Sequence, residues 1–105
     1  MYMIGFSKIT GFQWDKGNIT KNPTKHQIKN SQSEEIFLDE DLLIIEDMKH
    51  SQKENRQIAI GKSFDKTLLF IVFTIRKQKI RIISARKANK KEKKAYEQLK
   101  KNSQI

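Results

Sequence analysis

The sequence predicts an α+β domain: an antiparallel sheet of about four strands, two helices before it and one after. Three observations predict it. Short apolar runs crowd residues 56–86 and are separated by polar turns only a few residues long, the pattern of an antiparallel meander. Helix-start signals stand before these runs and again after them. The chain has 105 residues and neither repeats nor an internal linker, so residues 1–105 are expected to form one small domain.

Each element has a local reason. Met3 to Trp14 alternates loosely around Ile4, Phe6, Ile9 and Phe12 and reads as a short strand or extended arm. Asp15 is placed to cap a first, lysine-rich helix, which Pro23 must either begin or break. Ser31 and Glu34 have capping-box spacing, with Ile36 and Phe37 expected inward from a helix of about two turns. Leu42 to Glu46 is a short apolar run. Arg56 to Lys62 alternates, with Ile58 and Ile60 on one face and Gln57 and Ala59 on the other. Leu68 to Ile75 is almost wholly apolar, as a central strand would be. After the turn Arg76-Lys77-Gln78-Lys79, the regular alternation of Ile80 to Arg86 puts Ile80, Ile82 and Ser84 on one face and Arg81, Ile83 and Ala85 on the other. Asn89 and Glu92 form a second capping box, and Ala95, Tyr96 and Leu99 give the last helix an apolar stripe. The helices are expected largely on one side of the sheet.

Composition narrows the function. There are no cysteines, which excludes disulfides and thiolate metal sites and fits a cytoplasmic setting. No secretory signal is visible and no apolar run approaches the roughly 20 residues of a membrane helix. The four glycines are isolated, so no phosphate-cradling loop of a nucleotide triphosphate enzyme is present. The net charge of +10 sits entirely in residues 76–101, which hold twelve Lys and Arg against Glu92 and Glu97. Upstream, bases and acids balance, and residues 34–47 form a base-free acidic block. A basic field on one part of a molecule concentrates polyanions there, so nucleic acid is the first partner to consider.

Arginine is the residue suited to gripping phosphate, because its planar fork matches two oxygens at once. Arg76, Arg81 and Arg86 on the hairpin are therefore the leading candidates. An arginine on a covered strand face must find an acid or a ligand, and an ion pair with Asp or Glu is the simpler reading for any one of them. His26 and His50 are the histidines able to move protons near neutrality, though spacing alone makes each a polar loop residue and supplies no zinc pattern. Glu54 and Arg56 alternate at a strand start and so point the same way, as an ion pair or as a carboxylate holding an arginine toward phosphate. Lys90, Lys91, Lys93 and Lys94 fit attraction of RNA or of a protein partner better than chemistry.

The segments Phe12-x-Trp14-Asp15, Asn22, Lys25-His26, Glu34-Glu35, Phe37-x-Asp39, Asp47-x-x-His50, Glu54-x-Arg56, Gly61, Arg76, Arg81-Ile82-Ile83-Ser84-Ala85-Arg86-x-Ala88, Glu92 and Tyr96 together resemble the BrnT family of toxins. The chain departs from the usual pattern at Gln27, where a glycine is common, and at Pro23. The resemblance implies a RelE-like ribonuclease fold and an endoribonuclease of the mRNA interferase type that inhibits translation. It also implies neutralisation by a BrnA-like antitoxin that carries a DNA-binding domain and dimerises the complex, so that operator DNA is reached only through the antitoxin. No cofactor is expected. In the metal-independent reaction so implied, Arg76, Arg81 and Arg86 would stabilise the phosphorane, while Lys25, His26 and His50 would transfer protons. Arg86→Ala is expected to abolish cleavage with the fold intact. The alternative is a non-catalytic basic module that binds RNA or DNA, or a degenerate toxin acting only through its antitoxin complex.

Overall fold

The computed structural model describes residues 9–20, 27–47 and 54–102. Within them the chain forms β1 (Gly11–Phe12), α1 (Asn30–Glu35), a 3₁₀ turn (Ile36–Leu38), β2 (Leu43–Glu46), β3 (Gln57–Lys62), β4 (Leu68–Arg76), β5 (Lys79–Lys87) and α2 (Lys90–Asn102). The sheet order is β1-β5-β4-β3-β2. The four strands β2 to β5 are antiparallel neighbours as the meander reading expects. The fifth strand corrects it: β1 pairs parallel to β5, with Gly11 opposite Lys79, and makes the sheet mixed. The pairing spans two residues, continued by the bond from Gln13 N–H to Ile80 O at 2.8 Å.

The first expected helix is replaced, in its described part, by successive turns over residues 16–20. Side chains compete with the helix there. The Asp15 carboxylate accepts from Gly17 N–H at 2.8 Å, and Asn18 Oδ1 accepts from Asp15 N–H at 2.8 Å. Pro23, Lys25 and His26 lie outside the described residues. The second helix exists but starts earlier than the Ser31 capping box implies. Asn30 is already helical, and Gln32, not Glu34, reaches back to the flanking Lys29 N–H at 2.9 Å.

One face of the sheet carries the core. Ala59, Leu69, Ile71, Phe73, Ile80, Ile82 and Ala85 are buried there beneath Ile28 and Ile36, with Phe37 standing edge-on to Phe73 at 5.1 Å. Gly61 lets the 3₁₀ turn lie directly on β3, for a Cβ there would come within 3.1 Å of Ile36 O and 2.8 Å of Leu42. The C-terminal capping box forms as expected: Asn89 Oδ1 accepts from Glu92 N–H at 2.8 Å and Glu92 accepts from Asn89 N–H at 2.9 Å.

The helices do not share a side. α1 covers the core face, whereas α2 rests against the other, through Tyr96 under Lys62 and Glu92 beside Arg86. Its stripe is narrower than the spacing suggests, since Tyr96 is buried while Ala95 and Leu99 are exposed. Tyr96 O–H donates to Asp39 at 2.6 Å, and the same carboxylate accepts from Lys62 N–H and Asp41 N–H. Burial, then this bond to an anion, pushes the Tyr96 phenol well above its ordinary pKa.

Candidate functional site

The face opposite the core is set by one irregularity. In β4 and β5, Phe73 pairs with Ile82 but Val72 pairs with Ser84, so Ile83 is an extra residue, a β-bulge. Regular alternation would set Arg81 and Arg86, five residues apart, on opposite faces. The bulge puts Ile80, Ile82 and Ala85 inward together and turns Arg81, Ser84 and Arg86 outward together, which corrects the face assignment that strict alternation gives. Thr74 lies opposite Arg81, so Arg76 projects from this same face two residues along.

All three hairpin arginines therefore share a face, in two groups. Arg76 and Arg81 are diagonal neighbours, about 7–8 Å apart at the backbone. Arg86 stands opposite Phe70, four residues from Thr74 along β4 and so about 13 Å away. Convergence of all three on one spot is not what the register gives.

Each arginine holds its own carboxylate. Arg76 Nε and Nη2 donate to Glu54 at 3.0 and 2.9 Å. Arg81 Nη1 and Nη2 donate to Asp15 at 2.8 and 3.1 Å, and Nη1 also to Gln13 at 3.1 Å. Arg86 donates to both Glu92 oxygens at 2.8 Å and lies over the Phe70 ring at 4.0 Å. The carboxylates respond. The Arg81 hydrogen bond holds Asp15 below its usual range, and the Arg76 bond does so for Glu54. Burial pushes Glu92 up, but the Arg86 bond and the Asn89 N–H outweigh it and the net shift is downward. Asp15 also feels Arg76, and Glu54 also feels Arg56 and Arg81, so these five charges form one electrostatic cluster.

The pairs differ in how open they are. The Arg76 side chain is 46% exposed, whereas Arg81 is 14% exposed. Arg81 is seated by the turn after β1, where a Cβ on Gly17 would sit 2.6 Å from Arg81 Nη2. Arg86 Nη1 also donates to Lys87 O at 3.2 Å, and among the described residues no acceptor meets Nη1 of Arg76 or the Nε–H groups of Arg81 and Arg86. A phosphate approaching this face can engage those donors or displace the carboxylate.

Of the other sequence candidates, Glu54 hydrogen-bonds Arg76, and Arg56 lies within Coulombic reach of the same carboxylate. Lys90, Lys91, Lys93 and Lys94 are exposed along α2. His50, with Lys25 and His26, lies outside the described residues. Sequence reasoning missed Asp15, Gln13 and Phe70 as partners of the arginines. Asp15 and Glu92 were visible as helix caps and as members of the family pattern but not as partners of arginines, and Phe70 only as part of an apolar strand.

The sequence matches a family model, that of the ribonuclease toxin, BrnT, of type II toxin–antitoxin system, over residues 14–92, well over half of the chain. No curated protein matches it. The matched span runs from Trp14, whose indole N–H donates to Glu34 at 2.7 Å, to Glu92, the partner of Arg86, and contains all three arginine pairs.

Proposed function

This chain belongs to the BrnT family, ribonuclease toxins of type II toxin–antitoxin systems, and we propose that it cleaves RNA on the arginine-bearing face of the sheet. The observation that carries the reading is the bulge at Ile83, which brings Arg81 and Arg86 onto the face of Arg76, away from the core. An RNA strand lying along β4 and β5 would meet Arg86 at one end and the Arg76–Arg81 cluster at the other.

The reaction is an internal transfer. A base takes the 2′-hydroxyl proton, O2′ forms a bond to phosphorus, and the P–O5′ bond breaks as an acid protonates the departing 5′-oxygen. The products are a 2′,3′-cyclic phosphate and a 5′-hydroxyl. DNA lacks the nucleophile and is not cut. The unspent N–H groups of Arg76 and Arg81 stabilise the charge that grows on the phosphorane, and Arg86 holds the neighbouring backbone. Lys25, His26 and His50 supply the proton transfers in this proposal. In the cell the toxin inhibits translation as an mRNA interferase of RelE-like fold, in the cytoplasm. A BrnA-like, DNA-binding antitoxin neutralises it.

The test is cleavage of a single-stranded RNA by the purified protein with chelator present. Product ends are read by mass, and wild type is compared with Arg76→Ala. Cyclic phosphate ends from wild type and at least a hundredfold loss in Arg76→Ala, with an unchanged circular dichroism spectrum, are expected. Wild-type rates from Arg76→Ala would remove the site. Arg86→Ala is a less direct probe than its sequence position suggests, because it also strips Glu92 of its partner at the start of α2.

The arginine–carboxylate pairing itself favours a second reading, a binding module without catalysis, since every hairpin arginine is already neutralised locally. RNA retained but uncut, with and without added divalent metal, would assign that function.

A further inference from the structure

On the core side of the molecule, away from the arginines, a hollow of about 310 Å³ opens between β1, α1, the 3₁₀ turn and the β3–β4 turn. Phe12 and Phe37 form its floor, packed edge to face at 5.6 Å. Its lips are Leu38 and Phe64, which are 72% and 69% exposed, the most exposed of the large apolar side chains among the described residues. Glu34 and Glu35 stand in its wall. Asp65 follows Phe64 in the turn, which is tied to α1 by Gln32 to Asp65 at 3.1 Å and by Phe64 N–H to Glu35 at 2.9 Å. Two bulky apolar groups held out in water beside a concave aromatic floor mark an interaction surface.

The charge around it decides the occupant. The chain is strongly basic, yet the charged side chains lining the hollow are Glu34 and Glu35, which open the base-free block of residues 34–47, and Asp65 stands beside Phe64, with Lys66 as the base of that turn. A nucleic acid backbone is repelled here. A membrane surface, normally anionic, is repelled too. We propose that the hollow docks a segment of a partner protein bearing bulky apolar anchors flanked by lysine or arginine. The proposal rests on the family reading, which implies a protein partner, and adds where and by what chemistry that partner is held. Contact here leaves the arginine face uncovered, so this surface tethers the partner rather than blocking the RNA site directly. A second copy of this chain is the poorer fit. Its basic, partly apolar α2 lies on a different surface from the hollow, and such a head-to-tail contact has no built-in closure.

The probe is a synthetic 14-residue helical peptide with leucines at i, i+3, i+4 and i+7 and lysines elsewhere, compared with the same peptide carrying glutamates. On overall charge this basic protein should prefer the glutamate peptide. We expect the reverse: at least tenfold tighter binding of the lysine peptide at low salt, with amide shift changes at Leu38 and Phe64, and loss of binding in the Leu38→Ser/Phe64→Ser variant. Both side chains are largely exposed, so this variant should keep its circular dichroism spectrum and its RNA cleavage rate. Failure of wild-type cleavage would sink the ribonuclease reading without touching the peptide result. The docking proposal is overturned if the glutamate peptide binds as well or if binding survives the double substitution. It is also overturned if the patch instead drives concentration-dependent self-association, or if deleting residues 1–8 is needed to expose it, which would assign the hollow to the chain itself.

Discussion

At the scale of the residue, the carboxylates bonded to the arginines define what each arginine can do. Glu54 and Arg76 form a solvent-screened pair, and such pairs contribute little to stability. Removing Glu54's charge should therefore cost the fold little and free a guanidinium for phosphate. Glu54→Gln is expected to tighten RNA binding about three- to tenfold at low ionic strength, measured by fluorescence anisotropy, with less gain as salt screens the interaction. Unchanged affinity would mean that RNA does not meet Arg76. Asp15 occupies the same relation to Arg81 but with a structural duty added, because its carboxylate also organises the turn at residues 15–18. Gly17 is the sensitive point of that turn. Gly17→Ala would force Arg81 out of its seat, so cleavage should fall while the sheet remains intact. Much of this was legible in type but not in partnership: the arginines could be picked from the chain, whereas their acids lie 66 and 22 residues away from Arg81 and Arg76 and no local pattern joins them.

At the scale of the element, the antiparallel hairpin and the final helix could be read directly, since period-two runs and the Asn89–Glu92 box are local signals. The bulge could not. A regular period assumes no inserted residue, and the adjacent Ile82 and Ile83 fit either face by composition. A short strand could be read between Met3 and Trp14, but the parallel pairing of β1 was equally hidden, since it spans two residues and joins a strand nearly 70 positions away. The hairpin turn shows a further conflict. Lys77 and Gln78 have φ of 49° and 66°, the left-handed backbone of a tight two-residue turn, and neither is the usual Asn or Gly. Replacing them by Asn-Gly should stabilise the protein by about 1 kcal/mol in urea denaturation. The α2 anchor has a defined pH response. The Glu92 pKa is depressed in the fold, so its contribution is present above the ordinary glutamate value of about 4.3 and is lost as pH falls below it. Helicity followed by circular dichroism should decline in that acid range, and Glu92→Gln should flatten the response while lowering stability at neutral pH.

At the scale of the whole molecule, charge is divided in space only in part, since Asp41 of the acidic block reaches Lys100 of α2 at 3.8 Å and each hairpin arginine holds a carboxylate. The acidic rim lies on the core side, and the lysines of α2 stand beside the arginine face at its Arg86 end. In the proposed function these lysines would draw RNA toward that face. The lysines and the arginines should then be separable by experiment. Lys90, Lys91, Lys93 and Lys94 are exposed and glutamine is a good helix former, so replacing all four by Gln should leave α2 formed. Each lost phosphate contact lowers the salt dependence of single-strand binding by about 0.7 in the slope of log K against log salt. The quadruple variant should bind RNA more weakly at low salt, approach the wild type at high salt, and cut bound RNA at the wild-type rate under saturating single-turnover conditions. Lys93→Ala should show a smaller shift in the same direction. Arg76→Ala should behave oppositely, with cleavage lost even when binding is saturated. A fall in the saturated rate of the lysine variant would place α2 inside the chemistry, and the division between an attracting helix and a reacting sheet face would have to be abandoned.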